Sequence, residues 1–436
     1  MRPAPTAARR KSSALPLCLL VVAAVPAISR HAARGQEAQA PAGESSCVAC
    51  HSALPEPLSA PVTALQNDVH AMKGLSCADC HGGDPALLDL TSMAPEAGFR
   101  GKLTPEDIPG FCGRCHADGA FMRRFNPSLP TGQVQQYWTS VHGQRLKTGD
   151  HKVATCVGCH GAHGILPASH AQSRVFPANV PSTCGHCHSN PAYMAEYKIP
   201  TDQEEQYRRG VHAELLLVKR DFSAPACNDC HGNHGAFPPG VASIAEVCGQ
   251  CHANNAAFFI KSPHKPAFDK LGLPECVTCH SNHEIHLAGD AMLGGQEGTT
   301  CRRCHEPDSP GYQGAVKMRE GIERLKTVMT DTEAMLTRAS TMGMEVSEED
   351  YAYREQVRPQ LIKVRTETHL ADPAAVTAAV EEAITAAAAS EVSAKATLAQ
   401  ANARRRNLLL PLGLIVLVMV LLYAKLRQLE RRPPDG

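Results

Sequence analysis

The chain has 436 residues, with 43 basic and 43 acidic side chains that cancel, 19 cysteines, 22 histidines and only 4% aromatic residues. The balanced charge gives no basic surface of the kind that nucleic-acid-binding proteins carry, so nucleic acid is excluded as an expected partner. So few aromatic side chains contribute little buried apolar area to a protein-only core. So many cysteines are unusual in a reducing cytosol unless they hold a metal or a cofactor.

The chain begins with the pattern of an export signal. A basic start is followed by 14 apolar residues at 15–28, a run too short to span a bilayer comfortably. Ala38 and Ala40 have the small-x-small form of a cleavage site, so we predict a signal peptide over residues 1–40, with the cleavage position left open. Cys18 lies in the apolar run and would be discarded with it. An uncleaved anchor is the alternative.

The central feature is the pattern Cys-x-x-Cys-His, which occurs nine times between Cys47 and His305. Two thiols at this spacing reach the two vinyl groups of one haem, and the adjacent imidazole becomes the proximal iron ligand. The predicted thioether cysteines are Cys47, Cys50, Cys77, Cys80, Cys112, Cys115, Cys156, Cys159, Cys184, Cys187, Cys227, Cys230, Cys248, Cys251, Cys276, Cys279, Cys301 and Cys304. The predicted proximal ligands are His51, His81, His116, His160, His188, His231, His252, His280 and His305.

Three other chemistries explain this pattern less well. Disulfides do not require a histidine after every second cysteine. Zinc ribbons use Cys-x-x-Cys pairs two by two, which leaves one of nine copies unmatched, and iron-sulfur clusters use other spacings. We therefore predict nine covalently bound haem c groups that pack together over residues 41–310. The expected fold is a haem-packed, mostly irregular domain with short α-helices.

A two-motif unit repeats within this region. Its order is a lone histidine, a motif, a histidine three residues after the proximal one, and a second motif. Complete copies begin at His142, His212 and His264. A degenerate copy begins at His70 and has Asp84 where the other copies have their second histidine, and the motif at Cys47 stands alone before it.

This arrangement resembles the multihaem cytochromes c with doubled Cys-x-x-Cys-His motifs, a grouping that includes cytochrome c3-like and cytochrome c554-like electron carriers. The resemblance covers residues 47–305. In that family most irons have two histidine ligands. The resemblance implies seven distal ligands: His70, His142, His163, His212, His234, His264 and His283. Of these, it directs His163, His234 and His283 to neighbouring haems.

The implied ligands leave two irons without a second histidine. Their sixth position could be open or filled by another side chain. The candidates are His151, His170, His286, His369, Met72 and Met122, whereas His186 is constrained within its own motif loop.

Residues 311–403 lack cysteine and are predicted to form an α-helical hairpin or bundle. The first helix is striped by Met318, Ile322, Leu325, Met329 and Leu336 and ends near Gly343. A capping box of Ser347 and Asp350 opens a second helix, which carries Leu361 and Val364. Asp372 and Pro373 open a third, striped by Val376, Val380, Ile384 and Ala388. The bundle is either a plain stalk, a source of a haem ligand in His369, or a docking surface for a partner.

Residues 408–424 form 17 uninterrupted apolar or small positions between clusters of cations. They predict one transmembrane helix over 404–425, continuous with the third bundle helix, and a short cytoplasmic tail over 426–436. Together with the signal peptide, this places the haem domain on the periplasmic or exterior side of the cytoplasmic (inner) membrane.

The predicted function is electron transfer by a membrane-anchored nonahaem c-type cytochrome in a respiratory chain on the outer face of the cytoplasmic membrane. Expected partners are the membrane, a redox partner protein and the quinol pool, although related single-anchor quinol-oxidising cytochromes typically have N-terminal anchors. No catalytic residue is predicted. The alternative is an oxidoreductase that acts on a small nitrogen or sulfur compound at one five-coordinate haem, where the repeat decays at Cys47, Cys77 or Cys112. Haem storage or a structural role is a third possibility.

Overall fold

The computed structural model describes residues 45–237 and 244–430. The predicted signal peptide with Cys18, and residues 431–436 of the predicted tail, lie outside the described residues. Within the described ranges the chain is helical and contains no strand. This agrees with the predicted helical class.

The Cys-x-x-Cys-His region consists of short helices joined by turns. They are α1 Ser46–Ser52, α2 Ala60–Leu65, α3 Val69–Met72, α4 Cys77–His81, α5 Asp107–His116, α6 Gly119–Met122, α7 Gln133–Thr139, α8 Val141–Lys147, α9 Cys156–His160, α10 Val180–His188, α11 Pro191–Met194, α12 Gln203–Arg209, α13 Val211–Ala213, α14 Cys227–His231, α15 Ile244–Gly249, α16 Ala253–Lys261, α17 His264–Leu271 and α18 Glu275–His280.

The first motif of each repeat, which we call type A, ends its helix at the histidine. The next residue has a positive φ, at Gly82 (70°), Gly161 (86°), Gly232 (84°) and Ser281 (69°). Glycine adopts this left-handed region without steric cost, and it lets the chain leave the helix sharply after the imidazole. The second motif of each repeat, type B, lacks this turn: Ala117 and Ser189 have φ of −93° and −94°.

The protein core of this region is small. One buried apolar cluster contains Val180, Tyr207, Ala213, Leu216, Ala224 and Ala226, and another contains Ala245, Ala256, Phe259 and Phe268. The bundle that follows, although shorter in sequence, has a buried cluster of 14 residues. The small size of these two clusters agrees with the low content of aromatic residues in the sequence.

The bundle begins directly after the last motif. It is built from α19 Pro310–Thr341, α20 Ser347–Ala352, a π-helical segment Tyr353–Val357, α21 Arg358–Glu367, a 3₁₀ turn Thr368–Leu370 and α22 Pro373–Glu430. The predicted stripe on α19 is buried in full, and Val364 on α21 is buried against it, with Leu361 partly buried. The Asp372 carboxylate accepts hydrogen bonds from the N–H groups of Ala374 and Ala375, at 2.9 and 3.2 Å, as expected for an N-cap.

Two details of the bundle prediction are wrong. Ser347 is the first helical residue of α20 rather than its N-cap, which is Val346, and the Ser347 N–H donates to the Glu345 carboxylate at 3.0 Å. On α22, Ala388 is exposed and Ile384 is half-buried, whereas Ala383 and Ala387 are fully buried. The small alanine side chains let α22 approach α19 closely. The buried face of α22 is therefore centred on Ala383 and Ala387, one position before the predicted Ile384 and Ala388.

Helix α22 continues from the bundle without interruption for 58 residues, or roughly 87 Å at about 1.5 Å per residue. Its most apolar 18-residue window has a mean hydropathy of 2.5 and no buried residue. Pro411 lies inside it, which membrane helices tolerate more readily than soluble ones. Among the described residues, this helix is the one long and apolar enough to cross a membrane.

Candidate haem-binding sites

The structure brings histidines together in eight pairs, each with ring centroids 5.9 to 6.4 Å apart. Every pair contains one histidine from a Cys-x-x-Cys-His motif and one from outside the motifs. The pairs are His70 with His116, His81 with His163, His142 with His188, His160 with His234, His212 with His252, His231 with His283, His264 with His305 and His280 with His369.

This separation suits one iron held between two imidazoles. A bond from a metal to an imidazole nitrogen is about 2.0 Å. Two such bonds on opposite sides of an ion, with the short distance from each nitrogen to its ring centre, add up to about 6 Å. The side chains therefore fit bis-histidine ligation at eight sites.

Type B motifs pair with the lone histidine of their own repeat. His116, for example, faces His70 at 6.0 Å, and His188 faces His142 at 6.2 Å. The lone histidine lies at the start of a short helix, and the type A motif of the same repeat lies between the two partners in sequence. The lone histidine and the type B histidine of one repeat therefore form one candidate site together.

Type A motifs pair with the next repeat. The histidine three residues after one type A imidazole faces the type A imidazole of the preceding repeat, as His163 faces His81 and His234 faces His160. The two rings of the second pair are almost parallel, with 7° between their planes. Because the turn after each type A helix carries its histidine away from its own site, consecutive repeats are linked by these pairs. Each of these histidines thus faces a motif other than the one it follows.

The last type A motif has no following repeat, and its partner comes from the bundle. His369, in the 3₁₀ turn between α21 and α22, lies 6.1 Å from His280 with 16° between the ring planes. His369 is not among the seven implied distal ligands but is one of the candidates for the two remaining irons. The repeat order contained the signal: each type A site draws on the chain that follows, so the final one needs a histidine beyond His305, and His369 meets that condition.

An ion-pair cluster positions the turn that carries His369. Asp290 is 7% exposed in its side chain and accepts two hydrogen bonds from the Arg365 guanidinium, at 2.8 and 2.7 Å, with Lys326 at 3.1 Å. Arg319 donates to the Asp290 carbonyl. Burial alone raises the pKa of Asp290, but hydrogen bonds from Arg365 and Lys326 outweigh it and hold the pKa below its ordinary value. This cluster, which we call the Asp290 clamp, joins the motif region to the bundle.

Hydrogen bonds at Nδ1 orient several of the imidazoles. His369 Nδ1 bonds the Thr366 carbonyl at 2.9 Å, His231 Nδ1 bonds the Phe237 carbonyl at 3.2 Å, and His70 Nδ1 bonds the buried Asp68 carboxylate at 2.9 Å. A partner on Nδ1 fixes the ring and leaves Nε2 for a metal. These hydrogen bonds therefore orient each imidazole so that its Nε2 can bind a metal.

Burial also favours the neutral imidazole that binds iron. It is the largest cause that lowers the pKa of His142, His160 and His280, and the facing ring of each pair lowers it further. Burial likewise lowers the pKa of His369. A neutral ring keeps a lone pair for the metal.

The three remaining candidate histidines have other partners. His151 pairs with Glu106, His286 with Glu284 at 3.6 Å, and His170 Nδ1 accepts from the Gln172 N–H at 3.2 Å. None of these histidines forms a ring pair among the described residues. Of the two methionines, Met72 is 61% exposed and Met122 is buried.

His51, in the first motif, is the one motif histidine without a ring partner in the described ranges. Its Nδ1 bonds the Leu58 carbonyl at 3.1 Å, the same support that His231 receives from Phe237. Asp84 does not take the place of a second ligand, because its carboxylate accepts a hydrogen bond from the Ala86 N–H at 2.9 Å within its own turn.

The nine motifs follow one another in space in the order of the sequence. Within each repeat, thiols of the type A and type B motifs lie close enough to interact electrostatically: Cys80 with Cys115, Cys159 with Cys187, Cys230 with Cys248 and Cys279 with Cys301. Between repeats, the first thiols are hydrogen-bonded: Cys112 with Cys156, Cys184 with Cys227 and Cys248 with Cys276. Cys47 and Cys77 interact electrostatically. No step in this series is missing.

The thiols do not converge in the way that a zinc ribbon requires. Across 45–237 and 244–430, no group of three or more His, Cys, Asp or Glu side chains has an arrangement that could hold a metal ion directly. Each thiol pair with its histidine suits thioether attachment instead.

Comparisons with known proteins agree with this chemistry. The family described as doubled CXXCH motif matches residues 220–257. A C-type polyheme cytochrome, OmcC, of Geobacter sulfurreducens is 25% identical over 197 residues, which are 44% of this chain and 21% of the relative. The chain thus spans about a fifth of that relative's length. No solved structure is significantly similar to the chain. The findings support a multihaem c-type cytochrome with covalently bound haem c, and they suggest electron transfer.

Proposed function

We propose that the protein is a membrane-anchored cytochrome that binds nine haem c groups and conducts electrons along them in sequence order. The continuous series of neighbouring motifs from Cys47 to Cys304 is the observation that carries this proposal. Haem c, when bound, supplies a one-electron Fe(III)/Fe(II) couple. An interrupted series would suit independent haem sites, whereas an unbroken one suits a conductor.

The chain's own residues perform three tasks in this proposal. Eighteen cysteines would attach the haems, and the motif histidines would each supply one iron ligand. The eight partner histidines would supply the second ligand, with His369 added to the seven implied by the resemblance. With two strong ligands an iron would be low-spin and would transfer electrons without a change in bonding. The helical bundle completes the series at its C-terminal end.

We further propose that α22 anchors the protein in the cytoplasmic membrane. The apolar segment of α22 supports the anchor, and the export-signal pattern at 1–40 supports a haem domain on the periplasmic side. In this arrangement the bundle and the His280 site lie nearest the membrane in sequence, and the first motif lies farthest from it. Electrons then pass between a membrane donor, such as the quinol pool, and a redox partner protein.

The proposal is tested on the full chain, purified in detergent from cells that mature c-type cytochromes. We expect a haem assay to give nine haems per chain and magnetic resonance to show low-spin iron in at least eight. His234→Ala should convert one haem from low-spin to high-spin without loss of covalent haem, because His160 loses the partner that faces it at 6.1 Å. His286→Ala, at an exposed histidine outside the pairs, is the matched control and should change nothing.

Conduction is tested by interrupting the series in its middle. Cys184→Ala with Cys187→Ala removes the attachment of the fifth motif while both ends stay in place. We expect reduction of the remaining haems by a fast reductant to split into two phases, since electrons no longer cross the gap. Uniform reduction at the wild-type rate, or fewer than eight low-spin irons in the wild type, would contradict the proposal.

A further inference from the structure

We infer that the iron at the first motif has His51 as its one protein ligand and keeps its opposite face open for a small exogenous ligand. The inference rests on the proposed attachment of haem to all nine motifs. It assigns to the first motif a binding role that the other eight sites do not have.

The first motif belongs to type B. The residue after His51 is Ser52, which is still within α1 and, like Ala117 and Ser189 after the type B motifs, has no positive φ. The Cys47 thiol also interacts with Cys77 of the following type A motif, in the place where Cys112 meets Cys156. The first motif therefore has the features of a type B motif, with no type A motif between residues 1 and 46.

A type B iron takes its second ligand from the lone histidine of its own repeat. Those histidines precede the first cysteine of their motif by 36 to 42 residues, with a complete type A motif in between. Before Cys47 the sequence holds no type A motif, and its one histidine, His31, lies 16 residues away within the predicted signal peptide. The positions at this spacing before Cys47, residues 5–11, hold no histidine.

Asp84 supports the same conclusion from the other direction. It occupies the position at which His163, His234 and His283 stand in the later repeats. Each of those histidines serves the type A motif of the preceding repeat, and no type A motif precedes Cys77. The first motif, being of type B, would not draw on a histidine at position 84, and Asp84 offers no imidazole there.

His51 is nevertheless held as an iron ligand. The Leu58 carbonyl bonds its Nδ1 at 3.1 Å, which leaves Nε2 for the metal as in His231. The other unpaired histidines of the described ranges are held by Glu106, Gln172 and Glu284 or lie in a motif loop. An iron with one imidazole is high-spin and accepts a small molecule with a lone pair, such as a diatomic or a small nitrogen or oxygen anion.

Carbon monoxide is the probe that tests the inference. In the fully reduced, full-length protein we expect about one carbon monoxide bound per nine haems in the difference spectrum. The oxidised protein should show one equivalent of high-spin iron that cyanide converts to low-spin. Cys47→Ala with Cys50→Ala should lower the covalent haem count by one and abolish both signals.

A matched variant removes the haem at the other end of the series. Cys301→Ala with Cys304→Ala should also lower the haem count by one but keep the carbon monoxide signal, since His305 has a partner in His264. Nine haems with no carbon monoxide bound would overturn the inference and leave the conductor intact, and a gain of binding in His31→Ala would then identify His31 as the second ligand. A signal that survives loss of the first haem would also overturn it. Several carbon monoxide molecules per chain would instead contradict the proposed function, because the eight histidine pairs would not ligate.

Discussion

Replacement of Asp290 by asparagine should loosen the bundle from the last type A site. The carboxylate is 7% exposed and accepts two hydrogen bonds from Arg365 and one from Lys326, all between 2.7 and 3.1 Å. Hydrogen bonds to charged groups contribute about 1.5–3 kcal/mol each, with incomplete additivity. Arg365 and Lys326 are 45% and 36% exposed, so water compensates part of the loss. We expect the docked bundle to lose about 2–3 kcal/mol, or about 30- to 150-fold in the docking equilibrium.

The displacement of His369 reports on this equilibrium. A guanidinium titration of the full-length protein in detergent, followed by the high-spin signal that appears when His369 leaves the iron of His280, should show its midpoint at lower denaturant in Asp290→Asn. The shift in midpoint multiplied by the slope gives the free energy directly. Asp331→Asn, at an exposed position of α19, is the matched control and should leave the midpoint unchanged.

The clamp also has a defined pH dependence. The pKa of Asp290 is lowered in the folded protein, so its contribution is present above the ordinary value of about 3.9 and is lost as the pH falls through the folded-state value. The wild-type midpoint should therefore fall in acid below about pH 4, and the Asp290→Asn midpoint should fall less. Equal midpoints for both proteins at neutral pH would refute the clamp as a positioning device for His369.

Three further changes test other parts of the structure. His369→Ala should add one high-spin haem and leave the covalent haem count intact, whereas His286→Ala should do neither; an unchanged spin state in both would remove His369 from the ligands. Asp68→Asn replaces the carboxylate behind His70 with a neutral amide, which stabilises Fe(III) less. The reduction potential of one haem, measured by spectroelectrochemistry, should therefore rise by about 60 mV for each tenfold decrease in the binding of Fe(III) relative to Fe(II). Ile322→Ala empties a fully buried position of α19 and should cost the bundle about 2–5 kcal/mol, seen as earlier loss of helical circular dichroism. One haem should become high-spin in the same transition because the bundle supplies His369, and a haem spectrum that does not change there would count against that ligand.

The sequence determined the features that depend on neighbouring residues. Attachment of a haem needs two thiols and one imidazole within five positions, so the motif spacing alone indicates where each group is bound. The stripe from Met318 to Leu336 and the cap at Asp372 are local in the same sense, and the structure confirms both. The exchange of Ala388 for Ala387 shows the limit of periodicity, because a helix packed through small side chains is oriented by close approach to its neighbour rather than by its largest residues.

Only the tertiary structure decided which histidines face each other. The second ligand of an iron approaches from the opposite side of the haem plane, so it comes from a distant part of the chain, and residue spacing does not specify the pairing. His280 and His369 lie 89 residues apart in different structural units, yet their rings are 6.1 Å apart. The same long-range folding left His51 without a partner in the described residues. Covalent chemistry is encoded locally, whereas the opposite face of each site depends on how the repeats and the bundle pack together.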